Sequence, residues 1–527
     1  MSPSKIVASA AAETFDPLDL RNYSLERFKE IKPGRIMESL KLYGVPIAII
    51  AFFFFHFKWS GEIDVFEAQK VPQLCYSALG IFIASLVLWL TETIPNFLTS
   101  LIVIVVAIVT GTMKMREAFA MLGEPVMILN IASFILASAL VATGLAKRVS
   151  LYLVLKMNGN VMMLFWSFIL LNLFFGAFIS ATSAKTALLL PLFMVISAIF
   201  GATGGEKRNN VGRNMVLQNL LANNVSASAF MTGSAANLVA VALMEKAGAG
   251  VTYGQWLMAL LPLAIIQCAI SWWTGTKYIF PISKEDAKPQ FEGGFHLLQE
   301  EYRKLGRITI DEIKASVVFV TVLLLWATGG LHGIKAEVIA LGGACFVFLP
   351  SIMNSPRIGV IKWNDADIPW HMLMFSWGAY VLGGVVEKSK IVDMWIHGML
   401  DSWQIDGNAP GMKLMVFAIL AGLFGVTTLI SESKTARTII MFPIMITVAK
   451  KFGWDVVGFC LPMAFMINQV YVLYFNSKPA NISYLLDHYS SGESFKFGMI
   501  QLVLIWIVLI LWTQYAMPIM GFNSQLW

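Results

Sequence analysis

Long apolar runs broken by short polar clusters organise this chain. Runs long enough to cross a bilayer, about 20 residues, lie near 42–58, 74–91, 96–112, 124–145, 254–280, 314–328, 334–350, 366–387 and 495–521. Segments 213–246 and 456–484 are also long enough, but "TGSAAN" and "NSKPAN" interrupt them. Segments 161–200 and 411–449 are each cut in the middle by a polar phrase, "FISATSAKTALLLP" (178–191) and "ISESKTARTIIMFP" (430–443). Each half there holds about 15–18 residues, which suits a down-and-back hairpin better than a straight crossing. The pattern predicts an all-α integral membrane protein with about 11 transmembrane helices, two re-entrant hairpins and two broken helices.

The polar phrases repeat. "ATSAKTALLLP" (181–191) aligns without gaps to "SKTARTIIMFP" (433–443), matching Ser183 with Thr435, Lys185 with Arg437, Thr186 with Thr438 and Pro191 with Pro443. Further on, "SAANL" (234–238) answers "KPANI" (478–482), and Glu124-Pro125 corresponds to Ile368-Pro369. Three landmarks in one order imply duplicated halves. An odd number of crossings in the first half would invert the second, giving an inverted-repeat secondary transporter. The expected organisation is a cytoplasmic N-terminal segment (1–41), a first membrane half (42–280), a cytoplasmic connector (281–313) and a second membrane half (314–527).

Composition agrees with the pattern. The 527 residues are 57% hydrophobic and only 13% charged, and mean hydropathy is +0.71. Soluble domains carry about 25% charged residues. The formal charge of +6 is strewn over loops, so no nucleic-acid partner is expected. Placing 1–41 in the cytoplasm puts the loops 146–160, 201–213 and 281–313 on the same side, with "AKRVS", "EKRNNVGR" and "EEYRKLGR". Lys and Arg then favour that side roughly two to one, as the positive-inside rule asks. Residues 1–41 lack the short apolar core and cleavage site of a signal peptide. A bacterial inner membrane is the expected location.

Cys75, Cys268, Cys345 and Cys460 have neither metal nor disulfide spacing, and buried thiols are expected. His56, His332, His371 and His397 sit at span edges with no metal pattern. Glu92, Glu124 and Glu387 near span ends suggest capping or loop pairing. No nucleotide loop or catalytic triad motif occurs, so neither enzyme activity nor a cofactor is expected.

Backbone that leaves helix geometry inside a bilayer is tolerated only where it is buried or lines a cavity. Four such breaks are expected, at Ser180–Thr186, Thr232–Asn237, Ser431–Thr438 and Asn476–Asn481, converging near mid-membrane. Lys185, Lys434, Arg437 and Lys478 fall in or beside them. A charge at a helix centre costs about 2.5–3.5 kcal/mol on insertion scales. Lys185 and Arg437 also open a helix, where the positive dipole end favours anions. Glu432 is the nearest acid in sequence, and one carboxylate cannot balance four cations; a bound multivalent anion can. A lysine snorkelling to water, or Arg437 paired with Glu432 or a carbonyl, is the structural alternative.

These hairpins and breaks, with "VLWLTETIPNFLTSLIV" (87–103) and "WNDADIPWHMLMF" (363–375), resemble the divalent anion/sodium symporter family over about residues 70–520. The resemblance implies transport of di- and tricarboxylates or sulfate, and a dimer of elevator type. It also implies Ser-Asn-Thr at both hairpin tips, holding substrate and sodium. Here the first tip is Ala181-Thr182-Ser183 and the second is Ser433-Lys434-Thr435, so both asparagines are gone. Ser234-Ala235-Ala236-Asn237 and Lys478-Pro479-Ala480-Asn481 stand where many members have Thr-Pro-Pro-Asn.

The expected anion site therefore comprises Thr182, Ser183, Lys185, Thr186, Asn237, Ser433, Lys434, Thr435, Arg437, Thr438, Lys478 and Asn481, with the sodium sites lost. A fixed cation repels sodium and does its electrostatic work permanently, which points to sodium-independent exchange of a small anion. A sodium- or proton-coupled symporter of dicarboxylate, sulfate or sulfonate is the alternative, and an anion channel or receptor a more distant one.

Overall fold

The computed structural model describes residues 16–23, 35–157, 159–291, 293–350, 358–402, 406–407, 409–429, 431 and 433–527. Most of the polar segment 1–41 lies outside the described residues, and so does Glu432. Among the described residues there is no strand, only an isolated bridge between Gly204 and Lys207.

The first half runs through α1 (Arg35–His56), α2 (Pro72–Thr91), α3 (Asn96–Val109), α4 (Pro125–Ala142), α5 (Leu145–Lys156), α6 (Val161–Gly176), α7 (Thr182–Ile199), α8 (Asn210–Ala229), α9 (Ala235–Lys246) and α10 (Tyr253–Thr274). The connector carries α11 (Gly294–Lys304). The second half follows with α12 (Ile310–Ala327), α13 (Ala336–Phe348), α14 (Trp370–Ser389), α15 (Ile391–Ser402), α16 (Met412–Val426), α17 (Lys434–Lys451), α18 (Val456–Met463), α19 (Lys478–Leu485) and α20 (Ser491–Leu511). From α4 to α10 and from α14 to α20 the order of elements is the same: a long helix, a short one, a broken pair, a second broken pair, and a long helix ending in a π turn. Among the described residues, six helical runs are long and apolar enough to cross a membrane, with shorter apolar helices beside them.

Two expectations need correction. The loop expected at 146–160 is mostly α5, an amphipathic helix too short to span. Its Arg148 donates from Nε to Glu312 (2.7 Å) and from its terminal nitrogens to the carbonyls of Gly306 (2.9 Å) and Leu305 (3.0 Å), clamping the connector. The breaks also lie further upstream than the polar phrases suggested. Lys185 and Arg437 stand in the first turn of a helix, as expected, but so do Asn237 and Asn481, and the unwound backbone precedes all four. The second broken pair is the looser one. A 3-10 turn at Ala464–Asn468 follows α18, and 469–477 has no regular helix. Asn476 holds that stretch, donating to the Thr428 carbonyl and accepting from the Leu473 N–H.

The helices pack in two groups. In the first, α1 lies on α2, α3 on α14 and α4 on α13. Gly378 of α14 permits the second contact, because a Cβ there would meet Ser100 of α3 at 2.3 Å, the close approach that small residues give membrane helices. In the second group, α8 is the hub, touched by α6, α7, α10 and α19.

Buried throughout Asn214–Ala229, α8 still carries a row of amides and hydroxyls. In hydrocarbon they need partners, and most find them, Gln218 Oε1 and Asn223 Oδ1 excepted. Asn214 donates to the Phe280 carbonyl (2.8 Å), Gln218 to Asn214 (2.8 Å), and Asn219 accepts from Asn172 of α6 (3.2 Å).

Candidate anion site at the hairpin tips

Three of the four polar phrases cap the second arm of a broken pair with a serine; α7, which follows Ala181, has no side-chain cap. Ser433 is the N-cap of α17, accepting from the Ala436 N–H (3.2 Å). Ser234 and Ser477 cap α9 and α19 in the same way, accepting from Ala236 and Ala480 (3.3 Å each). Such caps satisfy N–H groups that a buried helix start leaves open.

Three of the four cations come together. Lys185 is fully buried; its Nζ donates to the Asn223 carbonyl and to Ser226 Oγ, both at 2.9 Å. Lys434 is half-buried and donates to Asn224 Oδ1 at 3.0 Å. One turn of α8, residues 223–226, thus receives the first hairpin through Lys185 and the second through Lys434. Lys434 also lies within electrostatic reach of both Lys185 and Arg437.

Arg437, 1% exposed, sits in a cage of oxygens. Nε donates to Thr427 Oγ1 (2.9 Å) and Nη2 to the Phe424 carbonyl (2.9 Å), at the end of α16. Nη1 reaches the Ile467 carbonyl and Nη2 the Met466 carbonyl (3.4 Å each), in the unwound turn after α18. The guanidinium carbon also lies 5.4 Å from the Phe424 ring centre. Lys185 and Arg437, aligned in the repeat, both bind their hairpin to backbone carbonyls or hydroxyls of the following broken helix. No ion pair among the described residues includes Lys185, Lys434 or Arg437.

The other expected residues divide into supports and bystanders. Asn223 donates to the Thr182 carbonyl (2.8 Å) and to Thr186 Oγ1 (2.6 Å). Thr438 Oγ1 donates to the Lys434 carbonyl (2.9 Å), and Thr435 is buried beside it. Asn237 is spent on structure: its amide donates to the Ala227 (2.7 Å) and Phe230 (2.9 Å) carbonyls at the end of α8, and its oxygen accepts from Asn468 (2.9 Å).

Lys478 is exposed at the start of α19 and does not join the other cations. Thr182 and Ser183 are half-buried at the first tip. Unpartnered buried oxygens remain on Ser180, Asn223, Thr428 and Asn481. A crevice of about 10 Å³, lined in part by Lys185, Thr186, Asn172, Asn219, Asn223 and Ser483, runs beside the first tip.

Asn223, Asn224 and Ser226 were missed as site residues. Their signal was the run "LQNLLANNVSAS" (217–228), too polar for a lipid-facing span. Among the cysteines, Cys75, Cys268 and Cys460 are buried as expected, but Cys345 is exposed on α13. The described residues contain no cluster of three or more metal-ligating side chains.

Comparison with known proteins places this architecture. Residues 67–522 match the sodium:sulfate symporter transmembrane region. The chain is similar to a membrane protein of Cupriavidus necator, 25% identical over 438 residues that cover 79% of this chain and 82% of that protein. It is also similar to the sodium-dependent dicarboxylate transporter SdcS of Staphylococcus saprophyticus, 23% identical over 460 residues covering 83% and 86% of the two chains. SdcS of Staphylococcus aureus strain USA300 is 23% identical over 470 residues, covering 86% and 88%. The chain belongs to the sodium:sulfate, or divalent anion/sodium, symporter family. It is a multi-pass integral membrane transporter and not an enzyme.

Proposed function

We propose that this protein exchanges small multivalent anions, di- or tricarboxylates foremost, without coupling to sodium. The observation that carries this reading is the pair Lys185 and Arg437. At equivalent points of the repeat, each places a tethered cation among protein oxygens beside a helix break. Oxygen cages of that kind suit a bound hard cation, and a covalently held charge there leaves neither room nor electrostatic need for one.

Lys434, half-buried between them, is the cation nearest the tip surface and is assigned to the anion itself. Thr182, Ser183 and Ser433 line the same ends of the hairpins. Dicarboxylates lead the substrate class because the SdcS relatives are named for them.

Transport follows an elevator scheme in this proposal. The α8-centred group carries the site, and the α2–α3–α14 group is the scaffold. Empty, the moving group holds three cations with no described carboxylate partner, a costly cargo to take past apolar surface. Loaded with a dianion it is nearly neutral. Movement only when loaded is exchange. The inverted topology of the halves, a homodimer built on the scaffold, a cytoplasmic N-terminus and a bacterial inner membrane complete the proposal.

A second reading, a sodium-coupled symporter, is favoured by the names of the SdcS relatives. Proteoliposomes decide between them. Labelled succinate, malate, citrate and sulfate are offered with sodium replaced by choline, with and without unlabelled anion inside. Uptake that requires internal anion and ignores sodium is expected; uptake into empty vesicles driven by sodium would overturn the exchanger.

A further inference from the structure

A cavity of about 120 Å³ opens between the ends of α9, α14, α15 and α17, away from the hairpin tips. Leu243, Val386, Val392 and Ile446 form an apolar floor, and Lys246, Lys450, Glu387 and Asp393 form the rim. Glu387, Asp393 and Lys450 are exposed and Lys246 is half-buried. None of the four makes an ion pair among the described residues. Among the described residues, the one side-chain hydrogen bond of these four runs from Thr447 Oγ1 to Asp393 Oδ1 (2.5 Å). Glu124 adds a third negative charge within the field of Lys246, together with Glu387.

Two lysines and two carboxylates around one opening, each without an opposite charge in contact, call for a ligand that carries both signs. A transported dianion would meet Glu387 and Asp393 unfavourably, and a simple cation would meet Lys246 and Lys450. Lys246 ends α9, Lys450 lies at the end of α17, Glu387 at the end of α14 and Asp393 in the first turn of α15. Ends of membrane helices lie at headgroup depth, where lysines reach lipid phosphates.

We propose that this cavity binds the headgroup of a zwitterionic aminophospholipid. Its phosphate pairs with Lys246 and Lys450, its primary ammonium with Glu387 and Asp393, and its first methylenes cover the apolar floor. The ammonium has three hydrogen-bond donors, which a choline headgroup lacks. The walls come from α14 of the first packing group and from α9 and α17, the second arms of two broken pairs, so the bound lipid bridges them.

The test is native mass spectrometry of the purified full-length protein, exchanged with phosphatidylethanolamine, phosphatidylcholine and phosphatidylglycerol of identical acyl chains. Wild type is expected to retain phosphatidylethanolamine about tenfold over either competitor, equivalent to about 1.4 kcal/mol. The double variant Glu387→Gln/Asp393→Asn should lose the preference over phosphatidylcholine, and Lys246→Gln/Lys450→Gln should lose retention of all three. Ala247→Trp, which fills the floor and leaves every charge in place, should also abolish retention, and this guards against effects of charge removal on folding. Equal retention of the three lipids by wild type would overturn the proposal. So would a preference that survives the carboxylate and Trp variants.

Discussion

The two hairpin tips put a cation at the same repeat position, yet they hold it differently. Lys185 is a point charge with two contacts, both to one turn of α8. Arg437 spreads four contacts over two elements, the end of α16 and the unwound turn after α18. The aligned phrases share a positive charge and not a bonding pattern. A straight helix such as α8 offers a compact target that an ammonium can satisfy. The looser second break exposes several carbonyls, and a planar guanidinium with five donors can serve them together. Lys434 has no cationic counterpart in the first hairpin, where Thr182 occupies the aligned position. The second tip therefore carries both the brace and the charge assigned to the anion.

Removing the brace should have the largest effect. Arg437→Ala removes the shared donor of four oxygens, of which the Phe424 and Met466 carbonyls keep Thr427 Oγ1 and the Gln469 N–H, at about 1–3 kcal/mol for each buried group left unpaired. Exchange measured by counterflow should fall more than about 100-fold, with a clear drop in the melting temperature of the detergent-solubilised protein. Arg437→Lys, which keeps the charge and cannot span both elements, should recover part of the activity and little of the stability. Equal recovery of both would mean that charge alone matters at the second tip.

Lys185→Gln tests the simpler site. It should lower exchange about tenfold with a smaller change in melting temperature than Arg437→Ala, because Ser226 Oγ still donates to the Asn223 carbonyl within α8. Collapse as severe as that of Arg437→Ala would erase the distinction between the tips. Lys434→Asn should be milder for the fold and specific for the ligand: the half-saturating anion concentration should rise about tenfold with melting unchanged. Unchanged affinity would remove Lys434 from the anion site.

The smallest effect is expected far from both tips, in the turn after α19. His488 is fully buried there, and burial first, then the nearby Arg208 and Arg213, hold its pKa down to about 4. On acidification below about 6.5 the unfolded chain takes up a proton that the folded one refuses. His488 should thus make the melting temperature fall between about pH 6.5 and 4. His488→Phe should flatten that slope while leaving the behaviour of the tip variants unchanged; an unchanged slope would assign the acid sensitivity to other groups.

Much of this was legible in the sequence, because lipid makes strong demands. Apolar length marked where long helices lie, and the polar phrases inside apolar runs fall within a few residues of the interruptions between α6 and α7, α8 and α9, α16 and α17, and α18 and α19. α5 and α15 were not legible: twelve residues each, they are too short to register as crossings and too mixed in polarity to register as loops. The motifs also misplaced the breaks, since a capping serine and its followers mark where a helix resumes rather than where the chain is unwound.

Asn237 shows the limit of reading a site from residue type. An asparagine in a break suggests a ligand group, but the α8 carbonyls it faces claim its donors first. Lys478 is the converse case, a charge in a matching phrase that the fold leaves outside the cluster. The partners of Lys185 and Lys434 on α8 lay too far along the chain for spacing to reveal.

The cage around Arg437 has a thermodynamic consequence under the proposed mechanism. A dissolved ion occupies its site according to its concentration, and lends the carrier whatever work its gradient stores. A side chain in that place is always present and has no gradient of its own. Such a carrier cannot concentrate an anion at the expense of the ionic medium. It can only bring the ratios of its substrates on the two sides of the membrane into balance, and it runs equally well in either direction.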